Sequence, residues 1–373
     1  MNTTKFILCC FLTSLGTLVY PQYAAVTNDS LIFAEGIIKP NLISTHHFGL
    51  FMGRMEQDLK IFSNVSWTFN IEVQSGNIFH PLVQSYLPQD PSIRAQFEDI
   101  TWYFRQFDYV NQQSTPAKIQ QIEIDAVYKT FRPSITIPLN PRHEIKLGLR
   151  AFTTVEGNLL NSPLTGDNFI EWFHSNVAGG EDAFGRRFYG LNEVNVNYID
   201  RDGRRLQLDN GDVILGGLEL GHVFHIPIKK LNERGFYLNL TSQMSWNTSR
   251  FNKGIDLGTG VAVIKEINLH SRSSLWGSVA TSFLQRDLLS SDDNVELGNT
   301  AGLLNYEIAL QWSHKTLKNN LNKIVLHYQN QSPYFDRGEK DYFHLKGAWD
   351  AINQGWHHGY TTLIENTSHY TLS

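Results

Sequence analysis

The stretch Lys60–Gln74, KIFSNVSWTFNIEVQ, constrains this chain more than any other. Its odd positions are Ile61, Ser63, Val65, Trp67, Phe69, Ile71 and Val73, and its even positions from Asn64 onward are Asn, Ser, Thr, Asn, Glu and Gln. Successive side chains of a strand leave on opposite faces, so the pattern predicts one strand with an apolar and a wet face. It is also long. A strand that crosses lipid at a tilt needs about 9–11 residues, against about 5–6 in a soluble sheet. The expectation is an all-β fold, an antiparallel transmembrane β-barrel.

The same alternation returns along the chain. Residues 119–139 place Ile122, Ile124, Ala126 and Tyr128 on one face and shift phase near Pro133, as a bulge would. Residues 143–157, 212–228 and 236–247 repeat it, the last most cleanly, with Phe236, Leu238, Leu240, Met244 and Trp246 against Tyr237, Asn239, Thr241, Gln243, Ser245 and Asn247. Further strands are expected at 255–267, 273–286, 304–316, 322–332, 343–353 and from His358 to the end. This makes about 11 strands, where bacterial single-chain barrels have an even number. Either the segment near His47 supplies another strand or one follows Ser373; the second is preferred, and the barrel is read as having about 12.

Connections alternate between short ones, such as Asn140–Arg142, and long ones at 75–118, 158–211, 287–302 and 333–342. Outer-membrane barrels keep short turns at the periplasmic end and long loops outside. The strand at Lys60–Gln74 should therefore rise from the periplasm, with Trp67 and Phe69 toward lipid and Glu72 in the lumen. Trp246, Trp276, Trp312 and Trp349 are candidates with Trp67 for interfacial girdles. Within 75–118, Asp90 before Pro91 starts a helix whose Ile93, Phe97, Ile100 and Phe104 share a face, so the extracellular loops are expected to carry helix.

Only one long apolar run exists, Phe6–Tyr20, the size of a signal-peptide core and short for a spanning helix. Residues 1–24 read as a secretory signal, 25–58 as an N-terminal segment acting as plug or extra strand, and 59–373 as the barrel. Cys9 and Cys10 both lie in that run, so a mature chain would have no disulfide, thiolate ligand or cysteine nucleophile. The formal net charge of -5, without a basic tract, argues against nucleic-acid binding. Charged residues make up 18% of the chain, below the roughly 25% of soluble domains. The alternative, a secreted β-sandwich, would have shorter strands.

EIDA at Glu123–Ala126, FIEWFH at Phe169–His174, FGRR at Phe184–Arg187 and NGD at Asn210–Asp212 together resemble a bacterial envelope family known as a domain of unknown function. The resemblance covers mainly 119–240. It implies an outer-membrane barrel and brings no activity or ligand with it.

Two groups of residues stand out as candidate sites. The lumen-facing set is Glu72, Glu123, Asp125, Glu144, Lys146, Arg150 and Glu219, together with Gln243. These would either select solutes in a porin-like pore or pair with one another, as Asp125 with Lys146. The second set, in the mouth loop, is Glu171, Trp172, His174, Asp182, Arg186 and Arg187. Ile170, Trp172 and Phe173 would dock this loop on the barrel mouth. The arginines would pair with Glu171, Glu181 and Asp182 or bind lipopolysaccharide phosphates. A lipid-hydrolase reading uses His174 and Ser175 with Asn176, but adjacent side chains diverge on either helix or strand, so no catalytic residue is assigned. The histidine pairs at 46–47, 222–225 and 357–358 do not share a strand face, and neither metal nor cofactor is expected. Expected partners are membrane lipid, lipopolysaccharide and a small solute.

Overall fold

The computed structural model describes residues 36–39, 46–86, 101–102, 105–107, 119–155, 172–173, 176–177, 194–200, 202–270, 272–316, 320–335, 345–346 and 365–373. Its strands are β1 (Thr68–Tyr86), β2 (Thr101–Trp102), β3 (Arg105–Phe107), β4 (Ile119–Asn140), β5 (His143–Val155), β6 (Asn195–Ile199), β7 (Arg205–Leu208), β8 (Val213–Ile226), β9 (Phe236–Thr248), β10 (Lys253–His270), β11 (Ser273–Ser290), β12 (Gly302–Lys315), β13 (Leu321–Gln331), β14 (Leu345–Lys346) and β15 (Thr367–Leu372). One antiparallel sheet runs β1, β4, β5, β8, β9, β10, β11, β12, β13, β15, each strand hydrogen-bonded to the next. The hairpin β6–β7 adds to the upper part of β4 through Gln121–Asp125, beyond the stretch that pairs with β5. Its turn is set by Gly203 at φ 80° and by Asp200 Oδ1, which accepts from Asp202 N and Arg204 N at 2.9 and 2.8 Å.

Short connections follow β4, β8, β10 and β12, all at one end. At the first, Asn140 Oδ1 accepts from Arg142 N and His143 N at 2.9 and 3.1 Å; at the second, a helical turn, Lys229–Asn232, closes on Gly235 at φ 72°. The other end carries the longest links, after β1, β5, β11 and β13, together with the four-residue β9–β10 turn at 249–252.

The sheet is polar where soluble proteins are apolar. On β12, Leu304, Tyr306, Ile308, Leu310 and Trp312 are exposed, while Asn305, Glu307, Gln311 and Ser313 between them are buried. The same outward apolar face includes Phe69, Ile71 and Val73 of β1, Val279 of β11 and Ile324 and Leu326 of β13. The buried polar face is concave, because residues 36–39 and 46–64 touch strands from β4 round to β13: Arg132 on β4, Asn239 on β9, Gln311 on β12 and Gln329 on β13 all bond to them. Only a curled sheet brings strands so far apart in the ladder onto one short segment.

Several expectations are corrected. The opening strand begins at Thr68, and Lys60 belongs to the inner segment. Residues 61–66 alternate in sequence but pass beneath the β4–β5 turn, where Ser63 N donates to the Pro141 carbonyl (3.3 Å) and the Lys60 ammonium joins Asp58 and Glu144. β1 continues to Tyr86 through the first part of the expected loop. The helix read from Asp90 to Phe104 does not run on: Thr101–Trp102 and Arg105–Phe107 are short strands in a separate small sheet with Leu345–Lys346, and the start of that helix lies outside the described residues. The strand expected at 343–353 is likewise described only at Leu345–Lys346, off the main ladder. Trp276 points inward at 4% exposure instead of joining a girdle, and Trp349 and the signal stretch lie outside the described residues.

Candidate functional site

The inner segment is held by two layers of different chemistry. Toward the long loops, the 3-10 turn His47–Leu50 and Phe51–Met52 form an apolar seal. Phe48 rings meet Tyr198 at 4.9 Å and Tyr334 at 6.1 Å between centroids, and Phe51 meets Phe152 and Phe251 edge-on at 5.1 and 5.8 Å. Ile78, Ile122, Ile124, Leu206, Val295 and Phe335 complete this core. The loop above is tied to the hairpin through Asp200 Oδ2, which accepts Glu296 N at 2.9 Å, and Tyr198 Oη, which donates to Glu296 O at 2.6 Å.

From Phe51 to Lys60 the segment is extended, and polar side chains of the wall grip its main chain in succession. Asn252 donates to Phe51 O (2.9 Å), Arg150 donates to Met52 O, Asp256 accepts Gly53 N (2.7 Å), Gln243 donates to Arg54 O (2.8 Å), and Asn239 donates to both Asp58 O and Lys60 O (2.8 and 2.6 Å). A backbone withdrawn from water needs such partners. Here the wall provides what a neighbouring strand would otherwise supply.

Side-chain charges then fix the register. Glu56 is paired with Arg132, and Lys146 Nζ stands 3.6 Å from its other oxygen; Glu219 receives Arg132 at 3.2 Å and Arg150 at 3.3 Å. Burial alone would raise the Glu56 carboxyl, but the Arg132, Lys146 and Arg54 cations outweigh it and hold it at about 2. Asp58 is likewise held below the usual carboxylate range, burial being outweighed by Lys60 and His225. The Lys60 ammonium is raised against the effect of burial by Asp58 and Glu144. Arg54, buried beside Gln329 Oε1 at 3.1 Å, is lowered chiefly by its burial.

β10 makes room for the segment with glycine. A Cβ on Gly258 would lie 2.0 Å from Met55 Sδ, and one on Gly260 would lie 1.8 Å from Gln57 Nε2. Gly258→Val is expected to lift Met55 from its notch and weaken seating of the segment by about 1–3 kcal/mol, the usual range for overpacking; faster proteolysis within 46–64, with the sheet still folded, is the readout.

Of the expected lumen set, Glu72, Glu144, Lys146, Arg150, Glu219 and Gln243 face the inner segment. Glu72 is opposite Arg132 in the β1–β4 register. Glu123 and Asp125 do not join them. They alternate with Ile122, Ile124 and Ala126, which pack on the inner core, so they leave the sheet on its other face, and the pair Asp125–Lys146 does not form. In the mouth loop, Trp172 and Phe173 are 55% and 41% exposed on one helical turn, where Asn176 Nδ2 and Val177 N both donate at 2.8 Å, to Trp172 O and Phe173 O. Glu171, His174, Ser175, Asp182, Arg186 and Arg187 lie outside the described residues. His47 Nδ1 meets Tyr128 Oη at 2.6 Å, His143 Nδ1 and His222 Nε2 meet at 3.1 Å with their rings stacked, and His225 meets Asn239 at 2.9 Å.

Arg132 and the Glu56, Asp58 and Lys60 series escaped sequence reading as site residues. The signal was present as four charges at alternate positions in RMEQDLK, too polar for a lipid-facing strand. No protein-family model matches this chain, and no curated protein matches it.

Proposed function

We propose that this chain is a bacterial outer-membrane β-barrel of about 12 strands, exported by an N-terminal signal, whose lumen is plugged by its own segment 36–64 and which binds or passes a small solute without catalysing a reaction. The inside-out distribution of side chains carries this reading. In water, exposing Leu310, Val279 and Leu326 together would leave a large apolar patch uncovered, and monomeric soluble proteins seldom do so. In lipid the same face is solvated by acyl chains, and the polar lumen is served by its plug. A sandwich would bury these residues between two sheets, so it fits less well.

The short turns then lie in the periplasm, and Trp312 and Trp246, 40% and 56% exposed toward opposite ends of their strands, suit the two interfaces. Contacts with lipid and lipopolysaccharide are part of this reading. The hydrolase alternative rests on His174 and Ser175, adjacent residues whose side chains diverge on a helix or a strand, so it is the weaker reading.

Leu310→Arg is the test. Leu310 sits mid-strand on the outer face, so arginine there is expected to cost about 2–4 kcal/mol of stability in phospholipid vesicles, as at a bilayer midplane. The measurement is urea unfolding from vesicles followed by tryptophan fluorescence. An unchanged midpoint would place this face in water and end the membrane reading.

A further inference from the structure

Below the apolar seal, the plug does not fill the lumen. A cavity of about 250 Å³ lies between 37–39 and 56–60 of the plug and the inner faces of β5, β8 and β9. It is smaller than the roughly 300–1,000 Å³ of pockets for drug-sized ligands, so it suits a ligand of only a few heavy atoms.

Two features of the lining define that ligand. One is a weakly neutralised cation. Lys60, Arg132 and Arg150 each contact a carboxylate with the nearest oxygen at 3.3 Å or less. Lys146 has Glu56 at 3.6 Å, a carboxylate already shared with Arg132, and its side chain is 43% exposed. The other is an apolar wall beside it, where Ile38 is 59% exposed and Val223 and Leu59 line the same space. The floor is cut away by glycine: a Cβ on Gly221 would meet Lys146 Cβ at 3.5 Å and one on Gly148 would meet Glu219 Oε2 at 3.6 Å, both ordinary contacts. Side chains would fit there, and their absence leaves the space open.

We propose that this cavity binds a small aliphatic monocarboxylate, its carboxylate on the Lys146 ammonium and its chain against Ile38 and Val223. Glu56 and Glu219 nearby disfavour a dianion, which distinguishes the ligand from inorganic phosphate. The site deepens the reading of a solute-handling barrel by naming its solute class. Binding itself does not depend on passage through a membrane.

The full-length protein in detergent is titrated with sodium hexanoate at pH 7 by calorimetry. Saturable one-to-one binding is expected, at least tenfold weaker in Lys146→Met and absent in Gly221→Leu, whose side chain occupies the cavity. Protection of 46–64 from protease, retained in Gly221→Leu and, through the Arg132–Glu56 pair, in Lys146→Met, shows that the plug stays seated. Hexanol and inorganic phosphate should give no saturable signal. Absence of binding by the wild type, or equal binding by both variants, overturns the proposal. Its failure is distinguishable from failure of the membrane reading, because Leu310→Arg is scored in vesicles without hexanoate.

Discussion

Arg132→Ala is expected to release the plug while the barrel remains folded. Arg132 holds Glu56 with one nitrogen and reaches Glu219 with another at 3.2 Å, at 13% side-chain exposure. Removing one partner of a buried pair leaves the other charged and poorly solvated, which costs about 3–5 kcal/mol. Glu219 keeps Arg150, so most of the cost falls on Glu56, which is left with Lys146 at 3.6 Å and the field of Arg54. A bias of this size moves a seated plug to a population that opens often. On the proposed outer-membrane reading, the wild type should be nearly silent in planar bilayers and the variant should conduct; on any reading, residues 46–64 become newly sensitive to protease. Adding Glu56→Gln to the variant removes the stranded charge and should restore part of the closure; that recovery separates an electrostatic latch from a general loosening of β4. A silent and protease-resistant Arg132→Ala would show that the main-chain clasp alone holds the segment.

The strands were legible because each is solvated differently on its two faces, and a period of two survives wherever that holds. β9 and β12 were read nearly to their ends for this reason. The errors come from partners that a period does not reveal. Residues 61–66 alternate as a strand should, yet Lys60 and Ser63 find their partners in Glu144 and the Pro141 carbonyl, and the ladder starts only at Thr68. The assignment of Glu123 and Asp125 to the lumen assumed that inside means polar. At the long-loop end the plug brings Phe48 and Phe51 into the interior, so there the inner face is Ile122, Ile124, Ala126 and Tyr128, and the charges take the outer one. A barrel with an apolar stopper reverses its polarity over the depth of that stopper. Gly258 and Gly260 are the notches that accept Met55 and Gln57. None of these was available from β1 or β10 read alone, since each depends on the plug lying against them.

Acid should unseat the same segment by a route that needs no mutation. Glu56 is held at about 2 against an ordinary 4.5, and Asp58 is also depressed. A depressed carboxyl contributes docking free energy that is present above its ordinary pKa and is lost as pH falls through its docked value. For shifts of this order the contribution is about 2–3 kcal/mol for each group at neutral pH. Lys60 is raised, so its contribution is present below its ordinary 10.5 and is lost only as pH rises through the raised value. The contribution of Glu56 and Asp58 to plug seating is therefore expected to be lost progressively between about pH 4.5 and 2. Protease sensitivity of 46–64 measured across that range with an acid-active protease should rise in step, and Glu56→Gln should flatten the part of the rise that Glu56 contributes. The apolar seal is indifferent to these protons, since Phe48 and Phe51 lose nothing when carboxylates are neutralised. Release should accordingly begin at the short-turn half, around Glu56–Lys60, and cleavage there should precede cleavage at 47–52; the reverse order would mean that the stopper, and not the ionic register, is the weaker half of the plug.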